Sequence, residues 1–189
     1  MSLDKSCILK DFVYNPPMTK SNVCIGLINP ISPDNVHSVL RAAGNYRVDG
    51  VFYTGDRYPL ALQRNPNAPD ISRKWGETVP LSEADCLLDA AKDLKIVCVE
   101  LAENAIALPD YEHPENAFYI FGPEDGTITQ DVVNKADAVV YIPTVGCMNL
   151  AATVNVLLYD RLAKSAQQFD DNAVIFKSRD RNNTLKVAT

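Results

Sequence analysis

No apolar run in these 189 residues reaches the roughly 18–20 that a membrane-crossing helix needs. The opening MSLDKSCILKDF lacks the charged-then-apolar order of a secretory signal, so a cytoplasmic protein with no membrane partner is expected. Cysteine is scarce and badly spaced for a framework. The five residues Cys7, Cys24, Cys86, Cys98 and Cys147 are odd in number and form no CxxC, and only His37 and His113 could assist them. Neither a zinc centre nor a disulfide scaffold is expected, and no metal is assigned. Cys24 and Cys98 sit inside apolar runs, where a free thiol serves as a small core residue. The sequence also lacks GxGxxG, GxxxxGK[ST], HExxH and any His paired with a nucleophile. Dinucleotide, P-loop and metalloprotease readings therefore have no support.

What is present is an ordinary globular composition, 47% hydrophobic and 22% charged, in a length that suits one well-cored domain. The formal charge of −6 argues against broad, nonspecific nucleic-acid binding. It is unevenly spread. Residues 57–75 carry a local +3 (Arg57, Arg64, Arg73 and Lys74 against Asp70). The tail 172–189 carries another +3 (Lys177, Arg179, Arg181 and Lys186 against Asp180), which leaves −12 on the rest. Two solvated loops account for this, and they are also the first segments to test for contact with RNA.

Short apolar runs alternate with helical patterns and no repeat is visible. NVCIGLIN (22–29), GVFYTG (50–55), KIVCVEL (95–101), AFYIFG (117–122) and AVVYIP (138–143) read as buried strands. DNVHSVLRAAGNY reads as a helix with an apolar stripe of Val36, Val39, Leu40 and Ala43, capped by Asp34 or Asn35. Residues 56–80 read as a long loop with room for a helical turn. Ser82 opens a second helix, SEADCLLDAAKDL, and TQDVVNKA a short third. A final helix runs from about Cys147 to Gln167 and is apolar nearly all round, so it requires cover from the sheet and from another subunit. Asn149 and Thr153 are polar exceptions at its mouth. The expected class is α/β, a mostly parallel sheet flanked by helices. Residues 1–21 form an arm, 22–168 the domain and 169–189 a polar tail.

In such folds ligands gather at the carboxyl ends of strands. Here those ends carry Asn29, Asn35 and Arg41, then Glu100, then FGPEDG, then PTVGCMN. Taken singly, each has a plain structural explanation: a solvated helix face for Arg41, a tight turn for GPEDG.

Taken together, NVHSVLRAAG, FYIFGPEDGTIT and IPTVGCMNLAATVNVLLYD resemble, in order and spacing, the three motifs of the SpoU/TrmH-type RNA 2′-O-ribose methyltransferases of the SPOUT superfamily. The resemblance spans about residues 22–162. It implies a C-terminal deep trefoil knot, a homodimer packed partly through the last helix, and S-adenosylmethionine held in the knot mainly by backbone. By position those donor contacts fall on Val99, Glu100, Gly122, Ile142, Cys147 and Met148. It further implies catalytic positions at Asn35, Arg41, Glu124 and Asn149, and RNA as substrate, tRNA in preference to rRNA. Two departures are visible: Cys147 where the family usually has Ser, and His37 where Gly is common. A guanidinium is a poor proton acceptor. Arg41 is therefore assigned to positioning and charge stabilisation, with Asn35 and Asn149 orienting it and the donor, and Glu124 balancing its charge. The proton acceptor is left open. Alternatives are a noncatalytic RNA- or cofactor-binding relative and a base-methylating SPOUT enzyme.

Overall fold

The computed structural model describes residues 22–66, 69–72, 76–165 and 171–187. The expected arm 1–21, Cys7, the basic pair Arg73 and Lys74, and the boundary at 168 lie outside them. In chain order the elements are β1 (Val23–Leu27), α1 (Pro33–Asn45), β2 (Gly50–Tyr53), α2 (Arg57–Arg64), β3 (Leu81–Glu83), α3 (Leu87–Ala90) and β4 (Lys95–Val99). Then come β5 (Ile106–Ala107), a 3-10 turn (Leu108–Asp110), β6 (Ala117–Phe121), α4 (Gln130–Val133), β7 (Ala138–Tyr141), α5 (Leu150–Lys164) and α6 (Asp171–Ser178).

The seven strands make one sheet in the order β3-β2-β1-β6-β4-β7-β5, and every pairing is parallel. Successive strand residues face opposite sides of a sheet. Here both sides are covered. Ile25, Leu27, Val97, Val99, Tyr119 and Phe121 pack toward α1 and α5. Cys24, Cys98, Phe118 and Ile120 pack with Leu87, Ala91 and Ile128 on the other face. This two-sided burial is why the strands read as unbroken apolar runs rather than alternating ones. Burial, aided by the nearby Asp49 and Glu100 carboxylates respectively, pushes the Cys24 and Cys98 thiols up to about 11, so they are inert core groups.

Several expectations need correction. Ser82 does not open a helix: Leu81–Glu83 pairs with Val51–Tyr53 as the edge strand β3. The helix that follows is a single turn, closed near Lys92, whose φ is +47°. The favourable end charges of SEADCLLDAAKDL are outweighed by sheet pairing, a tertiary gain that local propensity does not contain. The helical turn expected within 56–80 is a two-turn helix, α2. The strands end one to two residues early, α5 runs from Leu150 to Lys164, and the tail includes α6. The cap of α1 is Ser32, whose hydroxyl accepts from the Asn35 N–H, and neither Asp34 nor Asn35 is the capping residue. Among the described residues, no helix is long and apolar enough to cross a membrane.

A buried polar network fixes α5 to the segment before β6. His113 places Nδ1 2.7 Å from the Tyr119 hydroxyl and Nε2 2.9 Å from Asp160, while Arg161 donates to Tyr119 and to the carbonyls of Pro114 and Glu115. One neutral tautomer satisfies it: Tyr119 donates to Nδ1, and Nε2–H donates to Asp160. Burial is the largest influence and pushes the His113 pKa down, overcoming the bond to Asp160 that favours the cation. The stabilisation from neutral His113 is therefore complete above the ordinary imidazole value, about 6.5, and is lost as pH falls below it. Urea titrations at descending pH should show this loss, and His113→Gln should flatten that part of the profile.

Candidate active site

The carboxyl ends of β4, β6 and β7 converge on a cleft of about 160 Å³. Val99, Glu100, Gly122, Ile142, Cys147 and Met148, the six expected donor contacts, all line it, as does Glu124. Leu101, Tyr141 and Leu150 add apolar surface and Thr153 a hydroxyl.

Gly122 forms the floor. A Cβ there would lie 3.2 Å from a Glu100 carboxylate oxygen and 3.2 Å from the Ile128 backbone nitrogen. Those two atoms cannot readily part, because the Ile128 N–H donates to that same Glu100 oxygen at 3.0 Å, as does the Thr127 hydroxyl. The cradle thus depends on a missing side chain, which lets a ligand lie against backbone.

Above the floor, Glu124, Asn35 and Asn149 form a chain of hydrogen bonds. The Asn35 amide donates to Glu124 at 3.0 Å, and the Asn149 amide donates to the Asn35 carbonyl oxygen at 2.9 Å. Glu124 also accepts from the backbone N–H groups of Ile31 and Ser32 at 2.9 and 3.2 Å. Burial raises the Glu124 pKa, but the Asn35 amide and the Ile31 and Ser32 N–H groups outweigh it, so the carboxyl titrates below its usual value. Asn149 is the N-cap of α5: its Oδ1 accepts from Ala151 and Ala152 N–H at 2.9 and 3.2 Å. Its carbonyl oxygen accepts from the Thr153 hydroxyl. Both polar exceptions at the mouth of the apolar helix are thereby satisfied. Cys147 and Met148 lie in the turn before the helix rather than within it, and Cys147 is exposed.

Three of the four expected catalytic residues are brought into contact. The fourth, Arg41, lies nearly two turns further along α1 and is exposed, with no hydrogen bond or ion pair among the described residues. Glu124 spends its oxygens on the α1 entry rather than on Arg41. Sequence reasoning missed Ser32, the true cap whose N–H also meets Glu124. It also missed the link from Arg57 to Asp125 and Asn29. Arg57 reads only as part of a basic stretch and Asp125 only as a turn former, so no local signal joined them.

A parallel α/β sheet with a glycine-floored cleft at the carboxyl ends of its strands, bordered by a Glu–Asn–Asn chain, marks the class of α/β ligand-binding proteins. Within it the assignment is specific, because the profile of the SpoU rRNA Methylase family matches residues 22–159. The chain belongs to that family of RNA methyltransferases. Among solved structures it is similar to the TrmH/SpoU tRNA modifying enzyme of A. aeolicus, with 16% identity, TM-score 0.63, and coverage of 77% of this chain and 76% of that one. It is also similar to the AdoMet-bound rRNA methyltransferase of Sinorhizobium meliloti, with 16% identity, TM-score 0.59, and coverage of 75% and 56%. A third structure, concerning 2-OH methylation of C/U34 on tRNA, gives 20% identity, TM-score 0.61, and coverage of 76% and 96%. The match thus spans little more than half of the Sinorhizobium enzyme. Identities this low show the shared fold. No curated protein matches the sequence significantly.

Proposed function

We propose that this protein transfers the methyl group of S-adenosylmethionine to a ribose 2′-hydroxyl of RNA, with tRNA preferred to rRNA. The observation that carries the reading is the Glu124–Asn35–Asn149 chain, which unites residues from all three sequence motifs at the edge of the cleft. The named functions of the relatives, tRNA modification, AdoMet-bound rRNA methylation and tRNA 2-OH methylation, support it.

The glycine floor and apolar walls fit the donor, which supplies an electrophilic methyl group when bound. The residues proposed to hold it are Val99, Glu100, Gly122, Ile142, Cys147 and Met148, mainly through backbone. The protein's task is then alignment of the acceptor oxygen with the methyl carbon and leaving sulfur. Arg41, free of partners among the described residues, stabilises the developing alkoxide and the flanking phosphate. Asn35 and Asn149 hold the start of α1 against the start of α5, so the acceptor side keeps a fixed relation to the donor cleft. Glu124 stays ionised and fixes Asn35. It does this through α1 rather than by contact with Arg41.

The reading includes a C-terminal trefoil knot, a cytoplasmic homodimer and a methyltransferase domain over 22–168. Ala152, Asn155, Val156, Tyr159 and Ala163 share the exposed face of α5, which suits subunit packing. The tail cations Lys177, Arg181 and Lys186 and the exposed Arg64 remain available for phosphates, whereas Arg57 is committed to Asp125 and Arg179 lies over the Phe176 ring.

The test is donor-dependent methylation of bulk tRNA, with the product nucleotide mapped by mass spectrometry and donor binding followed by calorimetry. A product bearing a base methyl would overturn the ribose assignment. Heat without product would favour the noncatalytic alternative, which the exposed Cys147 in the usual serine position raises. Cys147→Ser is expected to preserve or increase turnover in the same assay, since either side chain leaves the backbone contact intact. A dead serine variant would assign the thiol a role of its own.

A further inference from the structure

Arg57, at the start of α2, joins three loops that leave adjacent strands β2, β1 and β6. Its Nη1 donates to both Asp125 carboxylate oxygens, at 2.9 and 3.0 Å. Its Nε and Nη2 donate to the Asn29 carbonyl oxygen at 3.0 and 2.5 Å, and its backbone N–H to the Asn29 side-chain oxygen at 3.4 Å. Asn29 needs such an anchor, because its φ of +41° is in the left-handed region that L residues seldom occupy. Gly55 faces it with a φ of +78°, and a Cβ there would strike the Asn29 side chain. The same two loops that Arg57 links are joined again a residue away. Asp125 follows Glu124, and Asn29 lies two residues before Ile31, whose N–H Glu124 accepts.

We propose that Arg57 is a positioning residue for the methyl-transfer reaction: its clamp on Asn29 and Asp125 sets the turn that aims Glu124 at Ile31, Ser32 and Asn35. The inference rests on the function proposed above. Asp125 is 61% exposed and Arg57 29%, and an ion pair so placed adds little to global stability. What the guanidinium supplies is geometry, since its planar fork holds a carboxylate and a carbonyl at once. Lysine brings three N–H donors on one nitrogen, without the planar fork that engages the carboxylate at two points while reaching the carbonyl.

Arg57→Ala and Asp125→Asn should therefore lower kcat with little change in KM or melting temperature. For Arg57→Ala the loss should be about 10- to 100-fold, the scale on which misplacement by about an ångström acts. Arg57→Lys should recover only part of it. In a Glu124→Gln background the further loss on adding Arg57→Ala should be less than about 2-fold, because residues acting as one unit are not additive. Amide exchange at Ile31 and Ser32 should speed up about 10-fold in Arg57→Ala, with Val97 and Val99 in β4 unchanged. Unchanged turnover and exchange in Arg57→Ala would overturn the proposal, as would full multiplication of the two losses. If the wild-type protein methylates no RNA, the proposed function fails, and amide exchange in Arg57→Lys and Asp125→Asn still decides whether the clamp sets Glu124.

Discussion

Arg41→Ala is expected to abolish methyl transfer, by at least about 100-fold in kcat, while donor affinity stays nearly unchanged. Arg41 sits exposed on α1 and has no internal hydrogen bond or ion pair among the described residues, so its removal leaves no buried partner unsatisfied. Surface substitutions of that kind stay within about 0.5 kcal/mol in stability. The proposed donor cleft is built from other residues, at the ends of β4, β6 and β7. An effect confined to turnover would place the guanidinium on the acceptor side of the reaction. Single-turnover kinetics with saturating donor measures it, and unchanged turnover would refute the assignment.

Gly122→Val is expected to do the opposite, weakening donor binding by about 100-fold and costing about 1–3 kcal/mol of stability through overpacking. The first atoms of the new side chain meet the Glu100 carboxylate and the Ile128 backbone nitrogen, which hydrogen-bond each other. Neither can withdraw without losing its partner, so the added carbons are forced toward the cleft. Calorimetry gives the affinity and thermal unfolding the stability. Wild-type affinity in this variant would mean that the donor does not rest against the floor.

These two variants also mark what the sequence can and cannot reveal. The cleft was legible because its lining sits at strand ends, and buried parallel strands declare themselves as short branched apolar runs bounded by Pro and Gly. Strand-end placement marked the region, and only the resemblance to the family's motifs singled out Gly122, Ile142 and the Cys147–Met148 turn within it. Asn149 was legible as a polar residue at the mouth of an apolar helix that had to find partners. The hydrogen-bonded chain was not legible, since Asn35, Glu124 and Asn149 are 89 and 114 positions apart in their two links. Ser32 lost the cap assignment to Asp34 or Asn35 because all three residue types cap well, and only the fold shows that the Asn35 side chain is already in use. Edge strand β3 was hidden for a related reason: its three residues pair with β2, and nothing in Leu81–Glu83 outweighs the helical charge pattern around them.

The all-parallel sheet has a consequence for how the chain reaches its native state. The central strand β6 pairs with β1, and the hydrogen bond just before that ladder, from Asn22 to Asn116, spans 94 positions. No hairpin lets the sheet start locally, so large loops must close before the pairing energy is gained, and folding in such topologies is slow. During synthesis β1, α1 and β2 emerge long before β6, and the apolar β1 edge stands open until Phe121 has been made. The Asn35–Asn149 bond comes later still. The edge that this bond closes thus assembles only after residue 149 has been made, and the interval before it closes is when the chain is most exposed to mispairing.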